Sequence, residues 1–219
     1  MTASQKNFAE EYYSSWSKYD FIVNLFQLGQ DNMHRTKALK LAALKAGDTV
    51  LDLCCGSGLS LRAIESIIGA EGKIIAIDAN EKMLELAVQR AQKHGWKNIS
   101  FLHSDIEAIQ LKEEADFALF ALCWYERELC TNWVKHISKM IKLDGTLCFL
   151  DYKLPDNWLR YITTPLIKVL VKWLGEAYGI EELKWNPNEE IGTLLQNPKS
   201  FTYYLDCLIT INGQPKKWD

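Results

Sequence analysis

The stretch from Thr49 to Asp78 restricts the fold more than any other part of the chain. It opens with TVLDLCCGSGLS (Thr49 to Ser60), continues through an amphipathic run to Ile68, and closes with KIIAIDA (Lys73 to Ala79), an apolar run that ends in an acid. The β-branched and leucine residues around Asp52 suit a strand buried on both faces, while Leu59, Ala63, Ile64, Ile67 and Ile68 recur at helical spacing. Gly56 and Gly58 fall where the strand gives way to the helix. Glycine lets the backbone turn sharply there and come close to a ligand, and the helix that follows aims unpaired N–H groups at it. Asp78 comes about 20 residues after Gly58, at the end of the next strand, where an acid in an open α/β sheet accepts the hydroxyls of a ribose. Strand, glycine turn, helix, strand and acid together read as a nucleoside site.

The kind of nucleoside depends on an absent glycine. A dinucleotide fingerprint, G-x-G-x-x-G, needs its last glycine at the position of Leu61. The shorter pattern from Asp52 to Gly58 resembles motif I of the class I S-adenosylmethionine-dependent methyltransferases, and further landmarks follow in order. Asp78 falls where that family places its ribose-binding acid. HSD (His103 to Asp105) falls where it places the acid that meets the adenine amino group, and ADFALFALCWYE (Ala115 to Glu126) resembles its fourth strand and acceptor-facing turn. The resemblance implies a Rossmann-like α/β domain with a seven-stranded, mostly parallel sheet, an antiparallel C-terminal strand over SFTYYLDCLITING (Ser200 to Gly213) and an N-terminal helical cap. It also implies S-adenosyl-L-methionine as cofactor, held by Asp52, Cys54, Gly56, Gly58, Asp78, Ala79, Met83, Asp105, Ile106 and Ala121.

A chain of 219 residues favours one domain with a modest insertion. The expected division is a helical cap over 1–46 and a methyltransferase domain over 47–219, with 154–199 as a lid on the acceptor side. A net charge of −3 argues against a surface that tracks phosphates, so nucleic acid is not an expected partner. The first residues lack the basic head and apolar stretch of a secretory signal, and the expected location is cytoplasmic. Six cysteines without a C-x-x-C pair read as buried thiols, with no metal expected. Within the cap, Phe8, Tyr12, Tyr13, Trp16 and Tyr19 share one helical face. YDFIVNLFQLG (Tyr19 to Gly29) resembles the cap of the ubiquinone/menaquinone C-methyltransferase family and of related small-molecule and lipid methyltransferases, with His34 where that family has a tryptophan.

The acceptor is expected to be a small or lipid-like molecule. The D/N-P-P-Y/F signature of DNA and protein-amide methyltransferases is missing after the fourth strand, and Trp124 and Tyr125 offer π faces instead. Tyr19, Tyr125, His34 and Asp151 are the candidates for orienting or deprotonating the acceptor in an in-line displacement that yields S-adenosylhomocysteine. Residues 158–175 are apolar but interrupted by Pro165, Lys168 and Lys172, which suits a lid, a packed helix or a peripheral membrane contact better than a membrane span. Two rival readings stay open: a cofactor-binding partner protein without transfer activity, and an NAD-dependent oxidoreductase, which Leu61 disfavours. The acceptor atom and the oligomeric state are open as well.

Overall fold

In the computed structural model, residues 27–123, 127–165 and 187–218 are described. Tyr19, Trp124, Tyr125 and residues 166–175 of the expected membrane-contacting segment lie outside them. The elements are α1 (Asp31–Leu41), β1 (Thr49–Leu53), α2 (Leu61–Ile68), β2 (Lys73–Asp78), α3 (Glu81–His94), β3 (Ile99–His103), β4 (Ala115–Ala121), α4 (Arg127–Ser138), β5 (Ile141–Tyr152), α5 (Pro187–Leu194), β6 (Leu195–Tyr203) and β7 (Leu208–Pro215). A short 3-10 turn, Ile106–Ala108, follows β3.

The strands form one sheet in the order β3-β2-β1-β4-β5-β7-β6. The first five pair in parallel, and β7 runs antiparallel to both its neighbours, β5 and β6. Alternation along β1 explains why the sheet needs helices on both faces: Leu51 and Leu53 enter one core and Val50 the opposite one, all fully buried. Leu39 of α1, the inner side of α2 and Leu84 and Ala87 of α3 complete the core on Val50's face. Val134 and Ile137 of α4 with Ile191 and Leu194 of α5 complete the other. α3 starts and stops where the chemistry dictates. Asn80 Oδ1 accepts from Met83 N at 3.2 Å, and Gly95 ends the helix at φ +72°.

The parallel register aligns the carboxyl ends of the strands. Leu53 lies opposite Ile77 and Phe120, Asp78 opposite His103, and Ala121 opposite Leu150. Loops carrying the motif residues therefore gather along one edge, where ligands of such sheets bind.

The sequence reading differs from the structure at the C-terminus. The run from Ser200 to Gly213, expected as a single strand, is a hairpin shared between β6 and β7. Its reversal is made by Tyr204, Leu205 and Asp206, all at positive φ (54°, 57° and 62°), with Cys207 N bonded to Tyr204 O at 3.0 Å. None of these is a turn-forming glycine or asparagine, so the local pattern reads as continuous strand. Tertiary contacts hold the turn instead: Asp206 accepts from Asp156 N at 2.8 Å and from Lys153 Nζ at 3.1 Å. Pro198 sits in β6 at a register shift between Gln196 and Lys199, on the edge of the sheet where the missing N–H is tolerated. α5 and the start of β6 fall within 154–199, so the end of the range expected as a lid lies against and within the sheet. Among the described residues, no helix is long and apolar enough to cross a membrane.

Candidate cofactor and acceptor site

The turn after β1 winds through three left-handed residues, Cys54 (φ +53°), Gly56 (+54°) and Gly58 (+77°), and ties itself to β2 through Cys55 N and Ile77 O at 2.9 Å. The two glycines serve different neighbours. A Cβ on Gly56 would stand 3.3 Å from Met83 Cε, at the mouth of the turn. A Cβ on Gly58 would stand 2.7 Å from Leu61 Cδ1 and 3.2 Å from the Ala87 Cα. The close approach at Gly58 is thus to α3 of the protein itself, a role the motif alone does not reveal.

Asp78 closes the same turn. Its Oδ2 accepts from Gly56 N at 2.7 Å and its Oδ1 from Asn80 N at 2.8 Å. Burial raises its pKa, opposed by these two N–H groups and by His103. A carboxylate offers about four lone-pair directions, so two bonds leave room for hydroxyl donors.

Asp52, at the end of β1, is buried at 1% exposure, and its Oδ2 has no hydrogen-bond partner. Burial pushes its pKa up to about 7; Arg35 pulls it down and Asp78 adds to the rise. Arg35 is the group that sequence reasoning missed. It is itself buried on α1, where its Nε bonds both carboxylate oxygens of Asp31 at 2.9 and 3.0 Å and its Nη1 donates to Ser60 Oγ at 2.7 Å. Gln27 Nε2 extends the network, donating to Asp31 Oδ1 at 2.9 Å and to the Tyr152 hydroxyl at 2.8 Å, while Gln27 Oε1 is buried without a partner. The signal for this network was an acid and a base four residues apart ahead of motif I. A buried i, i+4 pair looks in sequence like any exposed one.

The other cofactor candidates distribute along the edge. Met83 is buried, Ala79 is exposed and its carbonyl accepts from His103 Nε2 at 3.0 Å, and Ala121 is half-buried at the end of β4. Asp105 is exposed and accepts from Glu107 N at 3.1 Å, opening the 3-10 turn that places Ile106 in the core. Cys54 is half-buried and hydrogen-bonded to Cys123, whose own Sγ donates to Leu53 O at 3.3 Å. All six cysteines are free thiols, and five are buried.

Among the acceptor candidates, His34 is buried on α1 with its ring 4.4 Å from that of Tyr204 and 5.9 Å from that of Tyr203. Its Nε2 has no hydrogen-bond partner, and burial lowers its pKa against the pull of Asp31. Asp151 is buried at the end of β5, and Tyr152 N donates to its Oδ1 at 2.7 Å. The structure brings His34 and Asp151 to the same end of the sheet on different elements.

A model of the ubiE/COQ5 methyltransferase family matches residues 1–162. The chain belongs to the ubiE/COQ5 methyltransferase family. It is 31% identical over 154 residues to the demethylmenaquinone methyltransferase of Lactobacillus johnsonii, a match covering 69% of this chain and 60% of that relative. It is 30% identical over 168 residues to the 2-phytyl-1,4-naphtoquinone methyltransferase of a Nostoc species, covering 75% of this chain and 73% of that one. Among solved structures, a SAM-dependent methyltransferase from Aquifex aeolicus superposes with a TM-score of 0.58 at 20% identity, covering 83% of this chain and 89% of that one. Coclaurine N-methyltransferase bound to N-methylheliamine and S-adenosylhomocysteine (SAH) gives 0.52 at 18% identity, covering 57% and 37%. At such identities these two likenesses are of fold.

The ubiE/COQ5 methyltransferases use S-adenosyl-L-methionine, and the edge described here fits that cofactor. Asp52 offers an unpartnered buried acceptor, Asp78 retains lone pairs beyond its two backbone bonds, and the turn at Gly56 exposes backbone beside Met83.

Proposed function

We propose that this chain transfers a methyl group from S-adenosyl-L-methionine to a ring carbon of a small quinone-like acceptor in its reduced, hydroquinone form. The observation that carries the reading is the edge constellation of Asp52, the Gly56 turn and Asp78 in a chain of the ubiE/COQ5 family. Relatives named for demethylmenaquinone and phytyl-naphthoquinone methylation supply the acceptor class. Bound S-adenosyl-L-methionine supplies an electrophilic methyl on a sulfonium that departs as a neutral thioether. An electrophilic methyl needs an electron-rich carbon, and ring hydroxyls provide one where quinone carbonyls would withdraw density.

The protein's part is placement. Asp78 holds the ribose hydroxyls while keeping the glycine turn on β2, and Asp105 meets the adenine amino group. Asp52 accepts from the methionyl end, with Arg35 beside it fixing α1 over the turn. Position and exclusion of water then supply most of the rate. The division into a cap at 1–46, a catalytic domain at 47–219 and an acceptor lid within 154–199 belongs to this proposal, as do a cytoplasmic location and the absence of a nucleic-acid partner. Trp158, Tyr161 and Ile162, exposed three and four residues apart where a turn leads into a helical stretch, support presentation of a lipid-tailed acceptor at a membrane surface.

The test is formation of S-adenosylhomocysteine with a 2-substituted naphthoquinone lacking the ring methyl, supplied either reduced with dithionite or oxidised. Turnover is expected with the reduced form alone. Cofactor binding without turnover on either form would instead support a cofactor-binding partner protein.

A further inference from the structure

We infer that Asp151 is the base that takes the proton from the acceptor's ring hydroxyl, an assignment that rests on the methyl-transfer reading above. Side chains alternate along β5, so that Phe149 enters the core under α4 and α5 while Leu150 joins Ala38 of α1 on the opposite face. Asp151 therefore faces the α4 side, and the Tyr152 hydroxyl reaches back to Gln27 on the α1 side. From the β4–α4 connection comes the Cys123 thiol, pushed up in pKa first by its hydrogen bond with Cys54 and then by burial, and from α4 the Cys130 thiol, pushed up by burial; Asp151 adds to the rise of both. β1 contributes Asp52, whose charge also acts on Cys123, and β7 contributes Ile209, opposite Asp151 in register. Among the described residues no cation pairs with Asp151, and its hydrogen bond is the one from the neighbouring Tyr152 N.

A carboxyl group buried beside thiols and apolar side chains, with no cation paired to it among the described residues, is costly as a purely structural feature. Placed at the ligand-binding edge, it has a use. Burial pushes its pKa up to about 7, opposed by the Tyr152 N–H, and a base titrating there accepts a proton at neutral pH and can return it. The hydroxyl proton passes to the Asp151 carboxylate, and the ring carbon beside the resulting oxyanion bonds to the methyl carbon as the carbon–sulfur bond breaks. The carbon's own hydrogen leaves to water as a proton, and Asp151 returns its proton to the oxygen. One proton is released for each methyl transferred.

Asp151→Asn is the direct test, with cofactor affinity by calorimetry and turnover on reduced naphthoquinone read together. The expected result is cofactor affinity within about twofold of wild type and kcat lowered at least about a hundredfold. Asp52 titrates in the same range, so the pH profile is read in an Asp52→Asn background, where kcat/KM should fall as pH drops through about 7, a break that adding Asp151→Asn removes and Asp151→Glu restores in part. An acceptor bearing a more acidic hydroxyl should rescue Asp151→Asn more than wild type. If wild type turns over while Asp151→Asn keeps its rate, or keeps the same pH break, the assignment is overturned with the methyl-transfer reading intact. Should Asp151→Asn not fold, a wild-type rate independent of pH between about 5.5 and 8.5 would overturn it equally. No turnover by wild type on any reduced acceptor would count against the methyl-transfer reading itself.

Discussion

Gly58→Ala separates two roles that a motif glycine can have. Gly58 has φ +77°, and an added Cβ would meet Leu61 Cδ1 at 2.7 Å, Ala87 Cβ at 3.1 Å and Ala87 Cα at 3.2 Å. Gly95 supplies a control, with φ +72° and nothing within 4 Å of its Cβ position. The left-handed backbone costs an alanine roughly 1–2 kcal/mol at either site. Gly58 adds the overpacking of a tight core contact, about 1–3 kcal/mol, because Leu61 can swing aside while the α3 backbone at Ala87 cannot. Urea denaturation should therefore show Gly58→Ala costing about 2–5 kcal/mol and Gly95→Ala about 1–2 kcal/mol. Ala87→Gly, which carries its own helix cost of about 1 kcal/mol, removes the contact at 3.1 Å but not the one at 3.2 Å, so Gly58→Ala should cost less in an Ala87→Gly background than in wild type. The larger Gly58→Val should lose more stability still, along with cofactor binding. Equal costs at Gly58 and Gly95 would refute the packing argument and return Gly58 to a purely ligand-facing role.

Two further outcomes follow from the site. Asp78→Asn retains one carbonyl acceptor for Gly56 N or Asn80 N and turns an amide toward the other, so cofactor affinity measured by calorimetry should fall at least about tenfold. Undiminished affinity would remove Asp78 from the ribose site. Asp52, with a pKa near 7 in the fold against an ordinary 3.8, holds a proton that the unfolded chain releases across that interval. Its contribution to stability therefore falls as pH rises from about 4 to about 7 and is level above, a loss of up to about 4 kcal/mol. Relative to wild type, Asp52→Asn should gain stability across that window; denaturation curves that keep a constant offset from pH 5 to pH 8 would contradict the shift.

What was legible in the sequence, and what was not, follows from where the determining interactions lie. β1, the glycine turn, α2 and β2 are written in consecutive residues, so the apolar runs around Asp52 and before Asp78 gave the parallel core and the edge with its two acids. α3 was equally plain, since Asn80 and Gly95 bracket it with local caps. The β6–β7 hairpin was not, because its reversal depends on Lys153 and Asp156, some fifty residues away, and YLDC has no glycine or asparagine to mark the turn. The Arg35 network escaped for the same reason: Asp31 and Arg35 sit four apart, but Ser60 and Tyr152, which bury and complete the network, come from distant elements. At Gly58 the motif disclosed the left-handed turn and not its neighbour, since the contact with Ala87 appears only once α3 has docked.

Transfer of an isotopically labelled methyl group tests the central claim most directly. S-adenosyl-L-methionine labelled at the methyl carbon, incubated with the protein and the dithionite-reduced naphthoquinone, should place the label on a ring carbon, read by carbon NMR as an aryl methyl and by mass as one added methyl per ring. A label found on oxygen as a methoxy group, or no label in the acceptor while the protein binds the cofactor, would contradict carbon methylation of a hydroquinone by this chain.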